Sequence, residues 1–414
     1  MNLFLSILPL LVIIVLLVLK QHMLVAGLAG AILAAIIGGI SPADAAGIVQ
    51  TSIGTMLGYL APVIYAAGAM MVAQSGSFKA LAGFAQEKLK DNVAWVAGAF
   101  VLIQALATYM AGMGAGNTMV IAPLVAAAVG AVPEVIAGMA IATAACFTTS
   151  PASTETVLAA EAAARDVGEH ANAMLPFTLL FVLIGAALAV WGVKKRGTMI
   201  SEDNKLSDEN AVENTSLVQA IPAVVLIILV IFGGKINGLI GLHIFAPIIN
   251  VIIAALLCLV CCKTPVNDVC NNLIDGSRYI LTTLFGVGIF LGFINVVAEN
   301  GTFEQLAGIA GQAPEALIVP AAIILAFLIA IPSGAFCAGV LTLILPTLSA
   351  LNLGSLAMGL VAIAAGFGTQ VSPVQINVAA LSDGFKVDVM KIIKDNFKYV
   401  VACLVILVLV SFFA

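Results

Sequence analysis

The sequence predicts an all-α polytopic membrane protein of two inverted repeats, each with about five transmembrane helices, a re-entrant hairpin and interrupted helices. Three observations predict it. Of 414 residues, 62% are hydrophobic and only 9% charged, with a mean hydropathy of +1.19, whereas soluble domains carry about 25% charged residues. Apolar runs fill nearly the whole chain and are divided by one long polar gap. The two sides of that gap share short motifs in the same order. A soluble enzyme is excluded. The net charge of -5 is scattered between apolar runs, so there is no basic footprint for nucleic acid. An intramembrane enzyme would need a Ser/His pair, paired aspartates or a His-Glu-x-x-His helix, and no such constellation occurs.

The apolar runs fall near 3–19, 23–40, 52–74, 92–111, 119–131, 134–147, 173–193, 217–233, 237–262, 279–298, 315–331, 339–350, 354–367 and 397–413. A bilayer core of roughly 30 Å takes about 20 residues per helix, so the chain has room for on the order of ten to twelve spans. The run 3–19 lacks a positive flank and a small-residue cleavage site, and reads as a retained helix. Seven cysteines lie mostly in apolar segments, and Cys258, Cys261 and Cys262 have no nearby histidine. They read as small hydrophobes rather than zinc ligands. His22, His170 and His243 form no ligand spacing. Residues 194–215, KKRGTMISEDNKLSDENAVENT, cannot bury a core and read as a linker.

The linker separates a first repeat, 1–193 with its hairpin near 92–131, from a second, 216–414 with its hairpin near 315–350. Val72 to Ala85 and Val297 to Ala310 share eight identities in fourteen positions at an offset of 225. Ala115-Gly116 with Pro123 is matched by Ala338-Gly339 with Pro346 at 223, and Ser150-Pro151 by Ser372-Pro373 at 222. An odd number of crossings outside the hairpin turns the second copy over. The positive-inside rule agrees. With the N-terminus outside, fourteen of the sixteen basic residues fall on one face, leaving Arg165 and Lys235 on the other. Both termini are then outside and the linker is cytoplasmic, so cysteine labels at Lys205 and Ala414 should report opposite sides. Lys386, Lys391, Lys394 and Lys398, with Asp388 and Asp395, read as an interfacial helix ahead of the last span.

Non-helical backbone at membrane depth survives only where protein buries it or a wet cavity meets it. Four breaks qualify, two per repeat: Gly112 to Thr118, Thr148 to Thr154, Pro332 to Cys337 (Pro-Ser-Gly-Ala-Phe-Cys), and Gly368 to Asn377. Glycine permits sharp turns, proline removes a helix hydrogen bond, and Ser, Thr, Asn and Gln supply neutral oxygens and donors. Such breaks can coordinate a dehydrated cation through oxygens and hold a carboxylate at helix N-termini. Small residues at these places also permit tight helix packing, and Asn117-Thr118 also suits a helix N-cap. Glu155 follows the second break. It reads either as a cation or proton site at membrane depth or as a dipole-favoured residue in a first helical turn. Its counterpart, Asn377, is neutral.

The pattern resembles the ion transporter superfamily of secondary carriers. Gly116-Asn117-Thr118 followed by Pro123 resembles the Ser-Asn-Thr hairpin turn of divalent anion/sodium symporters. Gly76-Ser77-Phe78, within Gly68 to Ala85, and Ser150 to Thr154 are similar to citrate-metal and gluconate permease relatives. Gly116 stands where that hairpin has serine, and Ser333-Gly334-Ala335 replaces the second Ser-Asn-Thr triplet. The resemblance implies cation-coupled symport of a small organic anion such as a carboxylate, by an elevator motion in a homodimer of the bacterial inner membrane. The substrate would be held by Asn117, Thr118, Thr149, Ser150, Ser153, Thr154, Ser333, Cys337, Thr369, Gln370, Ser372, Gln375 and Asn377. The coupling ion would lie near Gly114, Gly116, Asn117, Thr148, Glu155, Ser333 and Gly368. Implied partners are the anionic substrate, lipid and a second copy; the cofactor is nothing beyond sodium or a proton. A sodium/proton antiporter of the same superfamily, or the membrane subunit of a multi-component carrier, is the alternative.

Overall fold

The computed structural model describes residues 3–19, 21–89, 92–199, 216–333, 337–373 and 375–412. Most of the linker, the chain ends, Gly334, Ala335 and Phe336, Val374, and the side chain of Ser333 lie outside the described residues.

The first half holds α1 (Leu3–Val18), α2 (Met23–Gly38), α3 (Pro42–Leu57), α4 (Leu60–Gln74), α5 (Ser77–Leu89), α6 (Val93–Ala111), α7 (Ala115–Val129), α8 (Pro133–Thr149), α9 (Thr154–Ala162) and α10 (Val167–Arg196). The second holds α11 (Ile221–Ile240), α12 (Pro247–Cys261), α13 (Val266–Ala298), α14 (Thr302–Ala310), α15 (Glu315–Ser333), α16 (Cys337–Ala350), α17 (Ser355–Thr369), α18 (Ile376–Phe385) and α19 (Val389–Ser411). Among the described residues the β pairing is one isolated bridge, Gly130 to Met199.

Helix starts repeat with the motifs. Residues 315, 337, 355, 376 and 389 open α15 to α19, each 222 residues after the residue that opens α6 to α10. The 33-residue α13 stands where the first half has α3 and α4.

Local chemistry sets the ends. Ser41, Ser153, Asp166 and Asp388 cap α3, α9, α10 and α19 by accepting first-turn amides. Pro42, Pro133 and Pro247 open helices where their missing N–H costs nothing.

Several apolar runs divide differently from the sequence reading. The run 52–74 is split between α3 and α4 at Gly58 and Tyr59. The run 237–262 is broken because Gly241 takes φ +67 and Asn237 closes the turn. Its Oδ1 accepts from Ile244 and Phe245, and its Nδ2 donates to the Phe245 carbonyl. The expected interfacial lysine helix is not separate. Lys386 is the left-handed cap of α18, Asp388 caps α19, and Lys391, Lys394 and Lys398 ride on α19 itself.

Among the described residues, α6, α10 and α13 are long and apolar enough to cross a membrane, and α8 with α9 passes the same test as a pair bent by 49°, the shape of a broken span or a re-entrant loop. The apolar stretches of the shorter helices run 10–17 residues, below the roughly 20 of a straight crossing.

Two packing groups result. One joins α6 to α10 with α15 to α19; the other lays α2, α3, α4 and α12 around α13. Close approach in the second depends on Gly276, Gly288 and Gly292, where a Cβ would come within 3 Å of Met70, Ile53 and Val49 respectively. In the first group, Gly138 and Gly185 bring α8 and α10 backbone to backbone.

One end of the first group is locked by charge. Glu134, fully buried at the start of α8, accepts Arg196 Nε on both carboxylate oxygens at 3.0 and 2.8 Å. Tyr399 of α19 donates to the same carboxylate at 2.8 Å. Lys194 lies over Trp95 and Lys195 over Trp191 at this end, an aromatic and basic rim of the kind found at membrane interfaces.

Candidate functional site

The four sequence breaks meet at one cavity of about 60 Å³. Each break supplies a helix start. Gly114 and Ala115 come from the tip between α6 and α7; Thr154 and Glu155 open α9; Cys337 and Ala338 open α16; Gln375, Ile376 and Asn377 open α18. The walls are completed by Gly112 and Met113 at the end of α6, by Phe147 of α8 and by Ile280 and Thr283 of α13, so the cavity faces the second packing group. No lysine or arginine lines it among the described residues.

The first turn of a helix leaves amide donors unpaired inside the helix. The cap positions of α7 and α18, Gly114 and Gln375, make no side-chain capping bond. Each helix start presents the positive end of its dipole, while Gly112 and Met113 bring the negative end of α6 into the same wall. At about 60 Å³ the cavity holds roughly four to six water-sized positions.

Glu155 is partly buried. It shares the cavity wall with Ala338 of α16, so the two halves meet here. Beside it, the Thr154 hydroxyl is 1% exposed, lines the cavity and has no hydrogen-bond partner. A buried hydroxyl that the protein leaves without a partner is an exception among buried polar groups.

Behind the cavity a chain of side-chain bonds ties the halves together. Gln104 Nε2 donates to Thr118 at 2.6 Å and to Thr143 at 2.8 Å. Thr118 donates to Asn377 Oδ1 at 2.6 Å. Asn377 Nδ2 donates to Gln370 at 2.7 Å, and Gln370 Nε2 to Thr369 at 3.1 Å. This network sets the α7 tip against the start of α18 and leaves one atom over, the buried Gln104 Oε1.

The sequence-derived site residues thus separate into groups. Gly114, Thr154, Glu155, Cys337, Gln375 and Asn377 line the cavity, while Thr118, Thr369 and Gln370 support it. Asn117 folds back on the Met113 carbonyl and closes the hairpin turn. Thr149 faces away, bonded to Thr178 of α10 at 2.6 Å. Ser150 ties the break to the Tyr109 carbonyl. Ser153 caps α9. Thr148 donates to Ala144, and its methyl packs where α8 crosses Gly366 of α17. Gly368 admits the α15 backbone at Phe327. Ser372 is buried and does not line the cavity.

Gln104, Thr143, Phe147, Ile280 and Thr283 were not singled out from the sequence. Gln104 had a signal, a lone amide within the apolar run 92–111. Ile280 and Thr283 had none, since only assembly brings α13 to the breaks.

No protein-family model matches the sequence, and no curated protein matches it. Among solved structures the fold matches the YdaH transporter of Alcanivorax borkumensis, whose crystal structure is described as revealing an unusual topology. The TM-score is 0.54 at 16% identity, over 90% of this chain and 89% of that one. This chain therefore has the all-helical fold of a membrane transporter.

Proposed function

We propose that the protein is a secondary active transporter that carries a small organic anion such as a carboxylate together with a coupling cation, sodium or a proton. The observation that carries this reading is the convergence of four helix starts on one small cavity without a basic side chain. The anion is held by first-turn amides of α7 and α18 and by the Thr154 hydroxyl. The cation offsets the Glu155 carboxylate.

The cavity lies between the hairpin-bearing group and α13. A sliding movement of that group past α13 would carry the site from one membrane face to the other, an elevator motion. The repeated order of helix starts supports two copies of one unit, and the 14-to-2 division of basic residues supports an inverted second copy, with a cytoplasmic linker and outer termini. A homodimer in a bacterial inner membrane, with the second packing group as the fixed part, completes the reading. Glu155 also supports a second reading, a sodium/proton antiporter, in which the carboxylate exchanges the two cations.

Thermal stabilisation of the purified protein separates the two, because a ligand that binds only the folded state raises Tm. A panel of small carboxylates is tested with sodium, with potassium and at low pH. Symport requires that a carboxylate stabilises the protein and that sodium or low pH enhances the effect. Stabilisation by sodium or pH alone, with no carboxylate adding to it, would favour the antiporter.

The role given to Thr154 has its own test. Thr154→Val keeps shape and removes a buried hydroxyl that has no partner, so Tm should hold or rise. Affinity for the stabilising anion should fall by about tenfold or more, the weight of one hydrogen bond to a charged group. An unchanged affinity removes Thr154 from the site.

A further inference from the structure

The cavity has two electrical poles. The negative one is the Glu155 carboxylate together with the end of α6 at Gly112 and Met113, where the last carbonyls of a helix lack partners inside it. The positive one is main chain alone, the first turns of α7, α9, α16 and α18. Among the described residues no lysine, arginine or histidine lines the space, and the ion pairs lie elsewhere, at Glu134 with Arg196 and Asp275 with Arg278. Glu155 is thus an acid in the wall of a membrane-protein cavity for which this chain supplies no basic partner, a position that is functional by default.

The Thr154 hydroxyl adds an independent sign of a ligand. It is 1% exposed, stands in the cavity wall and has no partner, although buried polar atoms are otherwise paired.

Ligands of a single charge satisfy one pole at the expense of the other. A lone carboxylate can use the amides and Thr154, but it puts a second negative charge beside Glu155, which is costly away from bulk water. A lone amine can pair with Glu155 and leaves the amides and Thr154 unserved. A molecule with both charges on neighbouring atoms serves both poles and brings in no net charge. The repeat-related position, Asn377, has both amide atoms committed, to Thr118 and Gln370. The cavity therefore has one acid, and such a molecule has one orientation in it.

Size narrows the class. At about 60 Å³, room for roughly four to six water-sized positions, the space matches glycine, alanine or serine. A small side chain can lie against Phe147 and Ile280. A second carboxylate would find no basic group there, and an amine tail no second acid.

We propose that the carried carboxylate belongs to a small neutral α-amino acid, whose ammonium pairs with Glu155 and whose carboxylate takes the first-turn amides and the Thr154 hydroxyl. This rests on the transporter reading and names its substrate class. The charge that offsets Glu155 is then the substrate's own.

Thermal stabilisation of the full chain at neutral pH, with and without sodium, tests it. The ligands are glycine, L-alanine and L-serine, set against propionate and lactate, which lack the ammonium, and alaninamide, which lacks the carboxylate. At least one amino acid should raise Tm saturably, with the single-charge analogues at least about tenfold weaker, the weight of a hydrogen bond to a charged group. Propionate or lactate binding as well as the best amino acid overturns the proposal and leaves the carboxylate reading standing. Alaninamide binding as well overturns both, because the carboxylate is then not recognised. Stabilisation by none of the six also counts against both.

Glu155→Gln adds a second arm. Amino-acid affinity should fall by about tenfold or more, while propionate affinity should hold or rise because the opposing charge is gone. An unchanged amino-acid affinity, or an equal loss for both ligands, overturns the proposal. A ligand-free Tm close to wild type shows that the variant folds, and the comparison of ligands on wild type needs no variant.

Discussion

Gly112→Ala is expected to abolish anion-dependent stabilisation and to cost about 3 kcal/mol or more of stability. Gly112 ends α6 at φ +67, a conformation that costs a residue with a Cβ about 1–2 kcal/mol. Space adds the larger share. A Cβ there would lie 2.0 Å from the Ala152 carbonyl oxygen and 2.7 Å from the Ser153 nitrogen. Both are backbone atoms of the break that begins α9, so no side-chain rotation relieves the clash. Either the hairpin tip or the start of α9 must move, and both line the cavity. Gly76→Ala is the control: φ is +84 but nothing lies within 4 Å of the added Cβ, so only the conformational cost of about 1–2 kcal/mol applies. Equal losses in the two variants would show that the contact between tip and break does not matter.

Arg196→Ala is expected to produce the other large effect, on stability and not on the chemistry of the cavity. Removing one partner of a buried ion pair typically costs about 3–5 kcal/mol. Arg196 is 39% exposed and Glu134 fully buried, so water screens part of the attraction, and the fall in Tm is smaller than for a fully buried pair but still clear. The loss arises because Glu134 stays buried with Tyr399 as its remaining side-chain partner. Adding Glu134→Leu to Arg196→Ala should restore much of the Tm, since the unpaired charge goes too. A double variant as unstable as the single one would place the cost in lost Arg196 packing.

Much of this architecture was legible in the sequence. Glycine, proline and small polar residues inside apolar runs marked all four breaks, because backbone that leaves the helix at membrane depth has few other residue types to use. The offset of 222 between Ser150-Pro151 and Ser372-Pro373 is also the offset of the helix starts around them. Boundaries were less legible where a side chain decides them. Nothing in the composition of 237–262 shows that Asn237 closes a turn seven and eight residues ahead.

Within the breaks, the sequence could not sort the residues that face the cavity from those that brace it. Thr149, Ser150, Ser153 and Thr154 are alike in chemistry, yet Thr154 alone of the four lines the cavity. A helix break interrupts the 3.6-residue period from which facing is read, so direction is set by tertiary contacts such as Thr178 and the Tyr109 carbonyl. The α13 wall was invisible for a related reason. Thr283 lies in an apolar stretch of a helix far from any break, and only packing brings it to the site.

The central claim is that one cavity carries an anion and a cation together across the membrane. It is tested most directly by uptake into proteoliposomes of the carboxylate that stabilises the protein, with sodium and proton gradients imposed separately. The expected result is saturable accumulation above the outside concentration, driven by one of the two gradients and lost when an ionophore collapses it. Flux that is linear in concentration and indifferent to both gradients would contradict the account.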